Sequence, residues 1–358
     1  MLRLVQQMFK LNERQKKIFD FISKENNVGI SEILPHLNKD RLKISRFSII
    51  RDLNILLKNN FIEKQGGGRS TKYITKNNNS FHKYIDIDDY FKIPQDERPL
   101  ISSYFDFSVF EKINNLFNKK ELNKIEELNN KFQENLKTIS PTIKKLETER
   151  FTIELSWKSS QIEGNTYTLL DTEYLIKNKT EAEGHKREEA IMILNHKAAM
   201  DFINKNKSYF RILSIKKIEE LHKIITKNLG VNHSIRKSPV GITGTNYRPL
   251  DNEYQIKEAV QAMIKFINET KNPTIKAFLS LVLISYIQPF EDGNKRTARL
   301  LANAILITHN HCPLSYRSVK ESDYKKSILI FYESHNLEPL KRLFIEQFEF
   351  AVTNYFRN

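Results

Sequence analysis

Cysteine, glycine and proline are scarce in this chain, and each shortage excludes a class of protein. A single cysteine, Cys312, excludes an internal disulfide and a cysteine-based metal site. Only 10 glycines and 10 prolines among 358 residues favour a mainly α-helical protein. The longest apolar run, Ala277 to Ile287, is about eleven residues long, too short to cross a membrane. Met1 to Lys10 lack the apolar core of a signal peptide, so we expect a cytoplasmic protein without a membrane partner.

Acidic residues are also scarce near the start of the chain. Residues 1–78 contain 16 Lys and Arg against 7 Asp and Glu, a surplus of nine within a net charge of +15. Positive charge concentrated in one segment predicts an anionic polymer as partner.

The pattern of residues 1–78 agrees with that charge. It predicts helices over Leu11–Glu25, after an N-cap at Ser31, and over Arg46–Lys58, followed by two short strands around the glycines at 66–68. The stretch from Ser45 to Leu53 resembles the recognition helix of winged helix-turn-helix transcription regulators. That resemblance implies double-stranded DNA as a partner, and use of the module for protein contacts is the alternative. The residues expected to contact DNA are Ser45, Arg46, Ser48, Arg51, Arg69 and Lys72.

Residues 288–299 carry the strongest functional signal: Gln-Pro-Phe-Glu-Asp-Gly-Asn-Lys-Arg-Thr-Ala-Arg. Apolar, helix-length runs precede and follow this polar loop, and the turn at 292–294 exposes backbone N–H groups at the start of the second helix. A helix N-terminus favours an anion, and three cationic side chains lie nearby in sequence. Asp292 is placed to hold a metal ion between phosphates. The loop therefore predicts a polyphosphate site, and a solvated helix–helix turn is the alternative.

The same stretch resembles the motif of the Fic family, His-Pro-Phe-x-Asp/Glu-Gly-Asn-Gly/Lys-Arg-x-x-Arg. Eleven of its twelve positions fit. The resemblance implies binding of ATP with Mg²⁺ and transfer of AMP to a hydroxyl of a target protein, which could be this chain itself. It assigns catalytic roles to Gln288 and Arg296. The ATP-binding residues that it implies are Gly293, Asn294, Lys295, Arg296, Thr297, Arg299, Tyr324 and Tyr332.

Two positions leave the reaction open. The family has a catalytic His where this chain has Gln288, and an amide cannot accept a proton near neutral pH. Losing a general base typically costs ~10²–10⁴ in rate. Lys295 stands where most AMP-transferring relatives have Gly, and the related Doc toxins, which are kinases, have Lys. AMP transfer, phosphate transfer and nucleotide binding without turnover therefore all remain open.

A second motif lies about 125 residues upstream, where residues 159–165 read Ser-Ser-Gln-Ile-Glu-Gly-Asn. It resembles the inhibitory helix motif of larger Fic proteins, here Ser159, Glu163 and Gly164. We expect a helix near 142–163 that ends at Gly164. The resemblance implies that Glu163 pairs with Arg296 and competes for donors that the γ-phosphate needs.

Residues 236–250 resemble the Fic flap, which holds a target segment by strand addition. Their turn residues predict a short β-hairpin, with a surface loop as the alternative. The flap residues are Val240, Gly241, Ile242, Thr243 and Gly244.

The whole sequence thus predicts a mainly α protein in which a winged helix-turn-helix domain precedes an all-helical Fic-like domain with a β-hairpin flap. The domains are expected at 1–78 and 141–358, joined by a connector with helices at 79–140 that could mediate a homodimer. The leading function is autoinhibited, ATP-dependent protein modification. The alternative is a DNA-binding regulator whose Fic-like domain senses ATP without catalysis.

Overall fold

The structure is a computed structural model that describes residues 11–38, 44–59, 61–75 and 80–357, without the side chains of Arg69 and Ser80. The chain divides into two compact units between Lys92 and Ile93. The segment expected as a connector, 79–140, is therefore shared between the two units. No helix within the described ranges is long and apolar enough to span a bilayer.

The first unit contains three helices and an antiparallel hairpin. Its elements are α1 (Glu13–Glu25), α2 (Ile30–Asn38), α3 (Arg46–Lys58), β1 (Ile62–Gln65), β2 (Lys72–Thr75) and the single turn α4 (Ile87–Tyr90). In the hairpin, Ile62 pairs with Thr75 and Gln65 pairs with Lys72. The expected helix over Arg46–Lys58 and both expected strands are therefore formed.

The apolar faces of these helices meet in one core. Ile18, Ile49 and Leu53 are fully buried there, and Tyr73 of β2 closes it. Asp52 is buried as well, and it accepts hydrogen bonds from Arg14 and from Gln15 Nε2 (3.2 Å), which ties α3 to α1. The N-cap expected at Ser31 is wrong: α2 already begins at Ile30, and Glu32 accepts the N–H of Gly29 (2.7 Å).

Among the residues that the structure describes, the second unit contains helices and irregular segments but no strand. Its helices are α5 (Val109–Lys112), α6 (Lys119–Thr138), α7 (Pro141–Ile162), α8 (Leu169–Asn178), α9 (Arg187–Lys205), α10 (Ile215–Ile225), α11 (Glu253–Glu269), α12 (Pro273–Ile287), α13 (Asn294–Thr308), α14 (Glu321–Ser334) and α15 (Glu338–Asn354).

The centre of this unit is the pair α12 and α13, which are joined by the six residues 288–293. From Ala277 to Ile287 every side chain of α12 is buried, which explains why the sequence reads there as a continuous apolar run. Helix α7 packs against α8, α9, α13 and α14. The end of α7 therefore lies close to the start of α13.

The β-hairpin expected at 236–250 is not formed. The segment is irregular, with a turn at Thr243–Gly244, and β1 and β2 make the only sheet within the described ranges. The reason is the buried side chain of Arg236, whose Nη1 and Nη2 donate to Ser238 O (2.7 Å) and Leu250 O. The guanidinium binds carbonyls of both arms, in place of hydrogen bonds between the arms.

Candidate active site

The loop between α12 and α13 is closed by its own side chains. Gln288 ends α12 in the left-handed conformation (φ 51°), and Gly293 precedes α13 with φ 80°. The amide of Asn294 accepts the N–H of Phe290 (2.8 Å) and donates to its carbonyl (2.7 Å). The first N–H groups of α13, which have no acceptor within the helix, start from this fixed turn. The turn expected at 292–294 is therefore confirmed.

His222 of α10 packs against the loop and hydrogen-bonds to it. Its ring stacks on Phe290 with centroids 3.7 Å apart, and its Nε2 lies 2.9 Å from the carbonyl oxygen of Asp292. Burial lowers the pKa of His222 to about 4, so the ring is neutral at pH 7. A Cβ at Gly293 would lie 3.1 Å from Thr226 and 3.4 Å from His222 Nε2, so close packing as well as the positive φ requires glycine.

Gln288 is oriented by hydrogen bonds on one side of its amide. Its Nε2 donates to Ser285 O (2.6 Å) and to the hydroxyl of Tyr332 (3.2 Å), which itself donates to Ser285 O. Both N–H bonds of the amide are engaged, which leaves Oε1 as the group that can accept from a ligand. Tyr332 is fully buried, so it supports Gln288 from behind.

Glu163 pairs with Arg299, not with Arg296 as the sequence analysis expects. The two side chains lie 2.8 Å apart, and Arg299 is fully buried. Burial alone would raise the pKa of Glu163, but Arg299 and the nearby charges of Lys295 and Arg296 lower it, so Glu163 is ionised.

Arg296 contacts the carboxylate of its own loop instead. Its Nη2 lies 2.6 Å from Asp292 Oδ2, four residues earlier. Residues three positions apart on a helix differ by about 60° around its axis. Of the two arginines on α13, Arg299 is therefore the one that faces α7. The sequence gives the spacing of these arginines but not the side on which α7 packs.

Ser159 and Glu163 both bind the guanidinium of Arg299. Arg299 donates from Nε to Ser159 Oγ (2.8 Å) and from Nη2 to Ser159 O (2.8 Å). The expected helix end is confirmed: α7 stops at Ile162, and Gly164 (φ 99°) and Asn165 donate back to Gln161 O and Ser160 O. This turn fixes Glu163 in place at the end of the helix.

His196 of α9 completes this contact, although nothing in the sequence pattern marks it. Its Nε2 lies 2.6 Å from Ser159 Oγ, and the ring is fully buried. Burial and the charges of Arg296 and Arg299 lower its pKa well below the usual value. Because arginine only donates, Ser159 Oγ accepts from Arg299 and makes its second hydrogen bond with Nε2 of His196.

A cavity of about 410 Å³ brings the predicted residues together. Its lining includes Glu163 just after α7, Gln288 and Asp292 from the loop, and Lys295 and Arg296 from α13. The flap residues from Val240 to Thr243 form another wall, and Lys325 and Leu329 of α14 contribute as well. Four residues expected to bind ATP are buried and do not line the cavity: Thr297, Arg299, Tyr324 and Tyr332. The ring of Tyr324 lies 5.2 Å from the guanidinium carbon of Arg299.

Two buried donors beside this cavity have no acceptor. The Nη1 atoms of Arg296 and Arg299 make no hydrogen bond among the described residues. Buried donors of this kind are normally satisfied, and two cationic ones fit an anionic ligand such as a phosphate. The side chain of Asp292 is largely exposed, and no cluster of three or more metal-binding side chains exists within the described ranges. A metal ion bound through Asp292 would thus take most of its ligands from elsewhere.

The flap wall has an open backbone edge. Among the residues that the structure describes, no partner hydrogen-bonds to the backbone of Val240–Thr243. Arg236 holds the start of the flap against the motif loop, because it also donates from Nε to Gln288 O (2.7 Å) and from its backbone N–H to Pro289 O (2.9 Å). Arg236 is fully buried, and no pattern in the sequence marks it for this contact.

In the first unit, Arg46 and Arg51 of α3 are exposed, and Phe47 is 77% exposed. Ser45 is the N-cap of α3, where its Oγ accepts the N–H of Ser48 (3.2 Å). Lys72 forms an ion pair with Glu32 (2.5 Å), and the side chain of Arg69 lies outside the described residues. Arg46 and Arg51 are therefore the expected DNA contacts that are exposed and form no ion pair with another described residue.

Comparison with known proteins identifies the domain around this cavity. Residues 212–306 match the model of the Fic/DOC family. The chain is 31% identical to the protein adenylyltransferase Fic of Nematostella vectensis over 179 residues, 47% of this chain and 40% of the relative. It is 25% identical to the protein adenylyltransferase fic-1 of Caenorhabditis elegans over 201 residues, 54% of this chain and 39% of the relative. The chain thus spans less than half the length of these curated relatives.

Solved structures share the fold of the second unit. Fic-1 (residues 134–508) from C. elegans aligns with a TM-score of 0.57 and 21% identity over 66% of this chain and 70% of that chain. A Fic domain containing signaling protein from Bacteroides thetaiotaomicron aligns with a TM-score of 0.55 and 20% identity over 64% and 94%. Residues 212–306 therefore match the Fic/DOC family model and lie in a mainly helical unit whose fold these solved structures share.

Proposed function

We propose that the second unit is an autoinhibited, ATP-dependent protein-modifying domain that transfers AMP to a hydroxyl of a target protein. The observation that carries this proposal is the cavity itself. It combines the N-terminus of α13, Lys295, Arg296 and an open backbone edge at 240–243. Each part matches one requirement: donors for phosphates, and an edge for an extended target segment.

The phosphates of ATP are bound by the chain's cationic and N–H groups. The N–H groups of Gly293–Lys295, the ammonium of Lys295 and the free Nη1 of Arg296 supply donors. Asp292 would hold Mg²⁺, whose charge offsets that of the phosphates when bound. Asp292 would then exchange its contact with Arg296 for the metal.

In the transfer, the target hydroxyl oxygen forms a bond to the α-phosphorus. The bond from that phosphorus to the oxygen that bridges the α- and β-phosphates breaks, pyrophosphate leaves with that electron pair, and the hydroxyl proton passes to the leaving pyrophosphate or to solvent water. Gln288 Oε1 can accept a hydrogen bond from this hydroxyl and orient it, but it cannot take the proton. Because such transfer relies mainly on positioning and charge stabilisation, we propose slow transfer by this chain.

A second candidate is favoured by the same residue. The amide of Gln288 donates both its N–H bonds to Ser285 and Tyr332, so it is held in place and supplies no base. A domain that binds ATP and reports on it without turnover would need no base. In that case the chain would be a nucleotide-sensing regulator.

Autoinhibition is attributed to the pair Glu163–Arg299. Glu163 Oε1 lies 2.8 Å from Arg299 Nη2. The carboxylate thus occupies one side of the Arg299 guanidinium, which would otherwise face the phosphates. A carboxylate and a phosphate compete for the same donors. Ser159 and His196 hold Arg299 ready for whichever anion is present.

We propose that the first unit is a winged helix-turn-helix that binds double-stranded DNA. The proposal is supported by its three helices with a hairpin, by the charge surplus of residues 1–78, and by the exposed Arg46 and Arg51 on α3. Exposed cations on such a helix fit phosphates and base edges in a major groove.

Label transfer tests the proposed activity and separates its alternatives. The full chain is incubated with a protein extract and Mg-ATP labelled at either the α- or the γ-phosphate. AMP transfer predicts protein-bound label from the α-position only. Label from the γ-position only would mean phosphate transfer, and no label with measurable ATP binding would favour the sensing function.

A further inference from the structure

The flap is supported from behind by a segment far outside the stretch that matches the family model. Residues 95–104 run along 244–248. Gln95 Nε2 donates to Asn246 Oδ1 (2.9 Å), and Asn246 Nδ2 donates to Asp96 Oδ1 (3.0 Å). Further along, the N–H of Arg248 donates to Ser103 O (2.9 Å), next to an isolated parallel bridge between Tyr104 and Arg248.

Arg98 is the buried residue of this support. Its Nη2 donates to Gly244 O (2.7 Å) at the tip of the flap, and its Nη1 lies 3.4 Å from Glu333 Oε1 on α14. The side chains of Arg98 and Glu333 are only 4% and 1% exposed. The segment is fixed to α14 a second time, because the N–H of Ile101 donates to Glu333 O (2.8 Å).

A buried ion pair is weak evidence for stability, because desolvating both charges offsets their attraction. This pair instead has a defined geometric effect: it joins α14, whose Lys325 and Leu329 line the cavity, to the tip of the flap. The residues just before that tip, Val240–Thr243, form the open edge on the cavity side. Fixing the tip therefore fixes the edge.

We propose that Arg98 is a positioning residue that holds the flap edge ready for the target segment, so that residues 95–104 belong to the target-binding apparatus. The consequence for target binding rests on the proposed function. The clamp itself, which is the pair of contacts from Arg98 to Gly244 O and to Glu333, does not. An edge that is ordered before binding costs less conformational entropy when a peptide adds to it. Arg236 fixes the base of the flap to the motif loop, and Arg98 fixes its tip to α14.

The test uses the full chain with Arg98→Met/Glu333→Gln, which leaves no uncompensated buried charge. The matched control is Lys341→Met/Glu121→Gln, which removes an ion pair of 3.0 Å between α15 and α6, with Lys341 5% exposed. Hydrogen exchange of the backbone amides in 244–248, where Tyr247 and Arg248 donate hydrogen bonds, is the first readout. Losing a charge-assisted hydrogen bond predicts exchange faster on the order of tenfold or more in the first variant and unchanged in the control. Arg98→Lys with Glu333 unchanged keeps a cationic donor, so its exchange should be slower than that of the double variant and faster than that of the natural chain.

The second readout joins the clamp to target docking. With Mg-ATP labelled at the α-phosphate and a protein extract, label incorporation should fall about tenfold in the Arg98 variant. Its Mg-ATP affinity, measured by calorimetry, should not change. Unchanged exchange at 244–248 would overturn the proposal, as would faster exchange with undiminished incorporation. If the natural chain incorporates no label, the proposed activity fails, and the exchange data alone decide whether the clamp exists.

Discussion

At the scale of single residues, Gln288 is the residue on which the proposed chemistry of the cavity depends. It lies in the left-handed region with φ 51°, a conformation in which histidine is also comparatively frequent. Its side chain is 7% exposed and lines the cavity from the end of α12. A histidine there would keep the backbone geometry and add a group that can accept a proton near neutral pH.

We therefore expect Gln288→His to raise the rate of label incorporation from α-labelled ATP. The gain from an added general base should be ~10²-fold or more. Gln288→Ala is the control, because it removes the amide without supplying a base and should give no gain. Equal rates for the histidine and alanine variants would show that the site lacks more than its base.

The low pKa of His222 predicts that the loop is sensitive to acid. This folded pKa of about 4 lies below the ordinary value of 6.5, so the unfolded chain takes up the proton first as the pH falls. Stability from this residue is thus complete above pH ~6.5 and is lost between about 6.5 and 4. Glu346, whose burial raises its pKa to about 7, contributes a pH dependence of opposite sign.

The difference between the natural chain and His222→Gln isolates this contribution, since Glu346 is common to both. Glutamine keeps an N–H donor for Asp292 O but does not titrate. We expect the natural chain to lose roughly 3 kcal/mol more unfolding free energy than the variant between pH 6.5 and 4. Denaturant titrations at each pH measure this. Parallel pH curves for the two proteins would contradict the role of His222.

At the scale of elements, the motif loop could be predicted because its residues are contiguous. A turn between two apolar helices determines the geometry of residues 288–296 locally. The partner of Glu163 could not be predicted in this way, since it depends on which face of α13 packs against α7. The prediction of a β-hairpin in the flap was wrong for a related reason. The side chain of Arg236 binds carbonyls of both arms, and a pattern of turn residues does not indicate such a contact. The supporting segment around Arg98 was likewise invisible, because it lies about 146 positions from Gly244.

The exposed face of α3 carries a prediction for DNA. Arg51 forms no ion pair among the described residues, and Asp52 beside it is already bound to Arg14. In gel-shift titrations of the full chain on duplex DNA, Arg51→Ala should weaken binding. If Arg51 contacts a phosphate, the log–log salt slope should fall by about 0.9. If it contacts a base edge, preference between sites should flatten by ~1–3 kcal/mol.

Lys24→Ala is the control for that experiment, because it removes an exposed charge from α1 instead of α3. Its effect should be much smaller than that of Arg51→Ala. No shift by the natural chain at low salt on any duplex would contradict the DNA proposal and favour a protein-contact module.

At the scale of the whole molecule, the division into two units separates the two kinds of anion that the chain is proposed to bind. The charge surplus of residues 1–78 is proposed to serve a polymer, and the cavity beside α13 a small polyphosphate. A cytoplasmic location and a homodimer stay predictions. Both proposed sites bind anions through cationic side chains. DNA binding releases counterions from a charged polymer, so salt should weaken DNA binding strongly and nucleotide binding less.

The cavity is proposed to be a nucleotide site whose affinity for Mg-ATP is lowered by Glu163. Calorimetric titration of Mg-ATP tests this most directly. Glu163→Ala frees Arg299 for a phosphate and should tighten binding by tenfold or more, since a charge-assisted contact contributes ~1.5–3 kcal/mol. Glu149→Ala removes an exposed acid from the same helix and should leave the affinity unchanged. Adding Arg299→Ala to Glu163→Ala should abolish the gain. An affinity that is identical in the natural chain and Glu163→Ala, or no binding of Mg-ATP by either, would contradict the account.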